Sequence, residues 1–176
     1  GVIGPSLPLE PIAAAMPALA AALSETGSGE AAEAIMTTDT RKKEFALTFR
    51  AGGKTCTLGG IAKGSGMIAP NMATMLCFLT TDAAVTPALL HEALLDAVGD
   101  TFNMLTVDGD TSTNDTVVLL ANGAAENPLI AAQGEDYDAF CGALRMLCAA
   151  VVRALAADGE GATRLLEVHV KGGATR

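Results

Sequence analysis

The chain has no tryptophan, one tyrosine and five phenylalanines, so aromatic side chains make up only 3% of its 176 residues. A core without large rings must be built from Ala, Val, Leu, Ile and Met, with glycine letting backbones approach closely. Basic residues are also scarce: 11 Lys and Arg against 20 Asp and Glu leave a formal charge of −9. That balance argues against nucleic acid, because phosphate binding needs clustered Lys and Arg. No apolar run reaches the ~18 residues of a membrane span, so none is expected. The opening Gly1-Val2-Ile3-Gly4 has no basic leader before an apolar stretch, so no signal peptide is read there.

Cofactor signatures are missing as well. Cys56, Cys77, Cys141 and Cys148 are too scattered for a zinc site, which wants a close Cys or His pair. Each sits among apolar neighbours, the pattern of buried free thiols in a reducing cytoplasm. His91 and His169 are isolated, which leaves a Ser/His or Cys/His pair without support. Gly64-Ser65-Gly66 lacks the third glycine and the following helix of a dinucleotide fingerprint, and there is no Gly-Lys-Ser/Thr phosphate loop. Asp108, Asp110 and Ser112 alternate as in a calcium loop. The sixth position is Thr113 where glycine is needed, and the twelfth is Leu119 where glutamate is needed. A turn capped by its own side chains is the better reading. Neither a metal nor a bound cofactor is expected.

What is present is one domain's length of chain, half of it hydrophobic. An Ala-rich helix is predicted over 6–23, with Pro11 in a first turn and Pro17 kinking or restarting it. A short helix follows over 30–36. Phe45, Leu47 and Phe49 alternate with polar residues over 44–50, a half-buried strand. A turn at 51–54 leads to a return strand over 55–62. Another strand is predicted over 74–81, then a helix over 87–98 with Thr86 as N-cap and Pro87 at its first position. Strands over 103–108 and 115–121 flank the Asp/Thr/Ser loop. Helical spacing of Phe140, Leu144, Leu147, Val151 and Leu155 marks a long helix over 136–157, and a last strand covers 165–170. Hairpin strands with helices before and after imply layered α/β packing and not a Rossmann pattern.

The most informative run is Gly66-Met67-Ile68-Ala69-Pro70-Asn71-Met72-Ala73-Thr74-Met75-Leu76. A Pro-Asn turn leads to a small residue, a threonine and an apolar strand. A cut between Ala73 and Thr74 would leave a hydroxyl and a free α-amine on one residue. Such a residue carries its own nucleophile and its own base, since an α-amine has an unperturbed pKa of about 8. A threonine that merely opens a buried strand is the plain alternative.

Further motifs surround it: Ile61-Ala62-Lys63-Gly64-Ser65-Gly66 upstream, Ile35-Met36-Thr37-Thr38-Asp39-Thr40 further back, and Thr106-Val107-Asp108-Gly109-Asp110-Thr111-Ser112-Thr113-Asn114-Asp115-Thr116 and Asp158-Gly159-Glu160-Gly161-Ala162-Thr163 downstream. With Gly1-Val2-Ile3-Gly4, and in this order and spacing, the chain resembles the ornithine acetyltransferases, the bifunctional glutamate N-acetyltransferases of arginine biosynthesis. The resemblance runs from the first residue to about Gly173. It implies an N-terminal-nucleophile acetyltransferase fold with stacked mixed sheets between helices. It also implies self-cleavage between Ala73 and Thr74, so that 1–73 ends an α chain and 74–176 begins a β chain.

The activity implied is acetyl transfer from N-acetylornithine to glutamate through acetyl-Thr74, with acetyl-CoA as a second donor in some relatives. Lys63 would bind the substrate carboxylate, Thr40 would contact substrate, and Glu160 would hold the substrate amine. Read alone, these are a surface lysine, a turn hydroxyl and an exposed turn glutamate. Gly1 would donate its N–H to the oxyanion, although the family pairs that glycine with a preceding threonine that this chain does not include. Associated α and β chains, forming a heterotetramer in the cytoplasm, are also implied. With no initial Met and an ending directly after a predicted strand, the chain reads as a central fragment. Two other readings stay open: a self-cleaving amidohydrolase or aminopeptidase, and a structural piece inactive without its flanks.

Overall fold

Alternation builds the sheet. Phe45, Leu47, Phe49 and Ala51 point to one face of β1 (Lys43–Ala51), while Ala46, Thr48 and Arg50 on the other side are exposed. Gly52 and Gly53, at φ +55° and +77°, turn the chain into β2 (Lys54–Lys63), which pairs antiparallel with Leu47 opposite Leu58 and Phe49 opposite Cys56. β3 (Leu76–Thr81) adds antiparallel to β2, and β4 (Thr116–Ala121) adds parallel to β3. The structure, a computed structural model, describes residues 6–69, 75–112 and 114–172. Among these the sheet is four-stranded and mixed, in the order β1-β2-β3-β4.

A parallel pair needs a crossover, here α3 (Pro87–Asp100) and a 3-10 turn at Phe102–Met104. α4 (Glu135–Ala157) lies across β1 and β2 and buries Tyr137, Phe140, Leu144, Leu147, Val151 and Leu155 at helical spacing. The Phe49 and Phe140 rings meet at 5.8 Å between centroids. Each fully buried Leu or Val on this face stabilises by about 1.5–3 kcal/mol. Asp136 ties the start of α4 to the hairpin by accepting the Gly52 N–H at 2.7 Å. By length and composition α4 could cross a membrane, yet its apolar stripe is spent on the sheet. α1 (Leu9–Ala21) buries none of its residues, and α2 (Ser28–Ala34) packs Ala32 against β1 and β2.

The four cysteines are free, with Cys56, Cys77 and Cys148 in the core. Burial pushes the Cys148 thiol up to about 12 and raises Cys77 as well, so both are inert thiols.

Four local expectations need correction. Residues 103–108 form no strand: the chain enters a 3-10 turn, and the Val107 and Asp108 N–H groups donate to Ile68 O instead of to a ladder. Residues 165–170 form none either, since among the described residues no strand lies beside them to take their N–H and C=O groups. Pro17 sits inside α1 without interrupting it. Thr86 holds the N-cap position with Pro87 after it, but its side chain makes no capping bond. The layered α/β class holds, with α4 covering the Phe45, Leu47 and Phe49 face of the sheet. Among the described residues there is one sheet, and its second face leaves Phe78 and Leu120 exposed.

Candidate functional site

One end of the sheet collects the start of β1, the end of β2, and the starts of β3 and β4. The C-terminal end of α4 arrives there too, and the ionic cluster at this junction links the loop after α2 to the rest. Lys43, the first residue of β1, is 2% exposed, with its ammonium 2.7 Å from Asp39 Oδ1 and 2.6 Å from Asp158 Oδ2. Its third hydrogen bond goes to Arg41 O at 3.2 Å.

Asp39 also accepts the Gly64 N–H at 2.7 Å and the Thr37 N–H at 3.3 Å. Burial alone would raise its pKa. The Lys43 hydrogen bond and charge and the two backbone donors outweigh that and hold it below the ordinary value. Asp158 behaves alike: burial is overcome by Lys43 and by the Thr40 hydroxyl and N–H. The Thr40 N–H reaches Asp158 Oδ2 at 3.0 Å, and its hydroxyl donates to Oδ1. Thr40 is therefore exposed but fixed, with hydroxyl lone pairs left to face solvent.

The turn after β2 is stitched to the turn after α4. Glu160 N–H donates to Ser65 O at 2.5 Å, and the Ser65 hydroxyl bonds that of Thr38. Gly66 lies so close to Glu160 that a Cβ there would stand 2.6 Å from Glu160 Oε2. Glu160 itself is exposed.

Lys63 ends β2 on the sheet face away from α4, opposite Leu76 of β3. It is 9% exposed and makes no hydrogen bond or ion pair with another described residue. Its charge acts on Asp115, just before β4, where burial raises the carboxyl pKa against the Met75 N–H and Lys63. Asp115 Oδ1 accepts that N–H at 2.8 Å.

The Asp/Thr/Ser loop is the capped turn expected of it. Asp108 accepts N–H bonds from Met67 at 2.5 Å, Ile68 at 2.8 Å and Asp110 at 3.1 Å. Burial works against these bonds, but together they hold its pKa below normal. Asp108 thereby pins the segment just before Pro70. Among the described residues no group of His, Cys, Asp and Glu could hold a metal.

Of the residues singled out in the sequence, Thr40, Lys63 and Glu160 come to the same end of the sheet. Gly1, Ala73 and Thr74 lie outside the described residues. Met75, bonded to Thr74, is at that same end. Sequence reasoning missed Asp39, Lys43, Asp115 and Asp158 as a supporting set. Three of them stand inside the motifs quoted above, so the signal was present as acidic residues beside glycine and threonine turns. Lys43 carried no signal, being one of three consecutive basic residues at a strand start. An open cleft of about 520 Å³ between α3 and α4, lined by Glu92, Asp96, Tyr137, Cys141 and Arg145, belongs to the first half of α4 and not to this end.

Comparison with known proteins adds to this geometry. The ArgJ family model matches residues 1–176. The arginine biosynthesis bifunctional protein ArgJ of Symbiobacterium thermophilum is 57% identical over 175 residues, covering 99% of this chain and 44% of that protein. Those of Synechococcus sp. and Lactococcus lactis subsp. lactis are 52% and 49% identical over 172 residues, covering 98% of this chain and 41% and 43% of theirs. A crystal structure of the arginine biosynthesis bifunctional protein argJ from Bacillus halodurans is similar over 49% of this chain and 41% of that one. Its identity is 46% and its TM-score 0.48. The chain spans less than half the length of the curated relatives it matches.

Proposed function

The chain belongs to the ArgJ family, and on that premise we propose that it carries the nucleophile and substrate-binding residues of an acetyltransferase moving acetyl from N-acetylornithine to glutamate. The relatives are named as bifunctional proteins of arginine biosynthesis. In this reading the Thr74 hydroxyl attacks the Ala73 carbonyl, the resulting ester is opened by water, and Thr74 becomes an N-terminal residue. Its amine then takes the hydroxyl proton as the oxygen attacks the acetyl group. Ornithine leaves, glutamate attacks acetyl-Thr74, and one hard transfer between two amines becomes two easier steps.

The observation that supports this most is Lys63. Lys63 is 9% exposed, and its ammonium makes no hydrogen bond or ion pair with a described residue, so its donors are left for an anion from solution. An amino-acid carboxylate is such an anion, and a charge-assisted hydrogen bond contributes about 1.5–3 kcal/mol. Glu160, across the Gly64-Ser65-Gly66 turn, would take the substrate amine, and Thr40 would add a hydroxyl fixed by Asp158. A zwitterionic amino acid has both charges that this pair requires. Gly1 is the proposed oxyanion donor through its N–H. No metal or bound cofactor enters; acetyl-CoA is the proposed second donor, in keeping with the relatives' bifunctional name. The α and β chains are proposed to stay together as a heterotetramer, and the free thiols fit a cytoplasmic enzyme.

Denatured intact mass of the full chain, beside Thr74→Ala, tests the reading. Two chains divided between Ala73 and Thr74 in the wild type, and one in the variant, are expected. Incubation with N-acetylornithine and glutamate should yield N-acetylglutamate, whereas release of acetate alone would favour the hydrolase. A single uncut wild-type chain would sink the mechanism.

A further inference from the structure

A hydroxyl can give or accept a hydrogen bond, so what it selects in a ligand depends on where its single proton is directed. For Thr40 the protein itself fixes that direction. Its hydroxyl donates to Asp158 Oδ1, and at this exposed position the lone pairs of the oxygen are left for solvent or a ligand. Asp158 cannot reverse the bond, because an ionised carboxylate only accepts. Burial would raise the Asp158 pKa, but Lys43 and the Thr40 hydroxyl and N–H outweigh it and keep the group ionised, with its pKa below the ordinary value. The carboxylate is also held in place. Its Oδ2 takes the Lys43 ammonium at 2.6 Å, the Thr40 N–H at 3.0 Å and the Arg41 N–H at 3.4 Å. Lys43 is braced in turn by Asp39 at 2.7 Å.

We propose that Asp158 sets the specificity of the substrate site through Thr40, by fixing its hydroxyl as an acceptor that takes an N–H of the substrate's α-nitrogen; this rests on the acetyl-transfer reading above. In that reading N-acetylornithine and glutamate pass through the same site, so the donor that Thr40 meets must be common to both. N-acetylornithine carries an amide N–H on its α-carbon, and glutamate carries an amine there. Their side chains end in opposite charges and share no donor. A carboxylate or carbonyl oxygen would meet the Thr40 lone pairs with its own, which leaves the substrate carboxylate to Lys63. Asp158 is a positioning residue in this scheme, since it acts on the ligand only through Thr40.

The full chain, turning over N-acetylornithine and glutamate, is assayed with 2-oxoglutarate as a dead-end competitor of glutamate. That probe keeps both carboxylates and has an oxygen that only accepts where the amine stood. Thr40→Val removes the hydroxyl at an exposed position. It should raise KM for glutamate about 10-fold and leave Ki for 2-oxoglutarate within about two-fold. Thr40→Ser should match the wild type on both. Asp158→Asn turns the hydroxyl round. The amide oxygen must stay against the N–H donors of Lys43, Thr40 and Arg41, so its NH₂ faces Thr40 Oγ and the hydroxyl proton points to the ligand.

In Asp158→Asn, KM for glutamate should therefore rise while Ki for 2-oxoglutarate falls, changing their ratio by about 10-fold or more. A site that is merely loosened weakens both ligands together and leaves the ratio alone. Equal weakening of the two ligands by Thr40→Val, or an unchanged ratio in a folded Asp158→Asn, overturns the proposal while leaving acetyl transfer intact. If Asp158→Asn does not fold, the Thr40 variants decide, because a hydroxyl free to donate would make Thr40→Val weaken 2-oxoglutarate as much as glutamate. A wild type that transfers no acetyl group from N-acetylornithine to glutamate removes both.

Discussion

Lys43→Met removes the cation lying between two buried carboxylates, and the cost follows from the geometry. The Lys43 ammonium touches Asp39 and Asp158 at 2.7 and 2.6 Å, and the three side chains are 0–6% exposed. Methionine fills the stem's volume, so the loss is electrostatic and not a cavity. Breaking a buried ionic contact by removing one partner costs about 3–5 kcal/mol. For a chain of this size each kcal/mol lowers Tm by about 2–4 °C, so a fall of roughly 6–20 °C is expected.

The pH dependence has a definite sign. In the wild type both carboxyl pKa values lie below the ordinary one, since Lys43 and the N–H and hydroxyl donors outweigh burial. Their stabilisation is complete above the unfolded carboxylate pKa of about 4 and is lost as pH falls through the folded values. Without Lys43, burial dominates, the folded values rise, and protonation relieves the repulsion. The difference between variant and wild type should be largest at pH 7 and smaller at pH 4. Urea unfolding followed by circular dichroism at both pH values measures it. A loss under about 1 kcal/mol at pH 7, or one that does not shrink on acidification, would refute the assignment of this cluster as the clamp on the Thr40 loop.

Two further substitutions probe close backbone approaches. Gly66→Ala would bring a Cβ to within 2.6 Å of Glu160 Oε2. The flexible carboxylate should swing aside, leaving Tm within about 2 °C while KM for the amino-acid substrates rises several-fold. Steady-state kinetics beside a melting curve separates the two effects, and unchanged KM would count against Glu160 as a substrate ligand. Gly52→Ala meets Pro128 Cδ at 2.3 Å from a backbone at φ +55°. Left-handed strain of about 1–2 kcal/mol adds to displacement of a proline ring, which cannot rotate away. Urea unfolding should show a loss of at least about 2 kcal/mol, and a neutral variant would mean the hairpin tip moves freely against the 127–130 segment.

Local patterns carried much of the architecture. The alternation of Phe45, Leu47 and Phe49 and the helical spacing from Phe140 to Leu155 are consequences of side-chain direction on strands and helices, so they are legible without knowing any neighbour. Gly52 and Gly53 were legible for another local reason, because glycine tolerates the positive φ of a tight hairpin turn. Residues 103–108 and 165–170 were misread because an apolar run says that a segment could pair, and only the presence of an adjacent strand decides whether it does. Thr40, Lys63 and Glu160 could be nominated from motifs, since residue type and local turns are written in the chain. Their supports could not. Lys43 and Asp158 stand 115 positions apart, and Met75 and Asp115 stand 40 apart. Whether such groups meet depends on how α4 crosses the sheet and on β4 joining β3 in parallel, and long-range docking of that kind leaves no periodic trace. The burial of Lys63 belongs to that second category: desolvation is a property of the assembled surroundings and not of the residue.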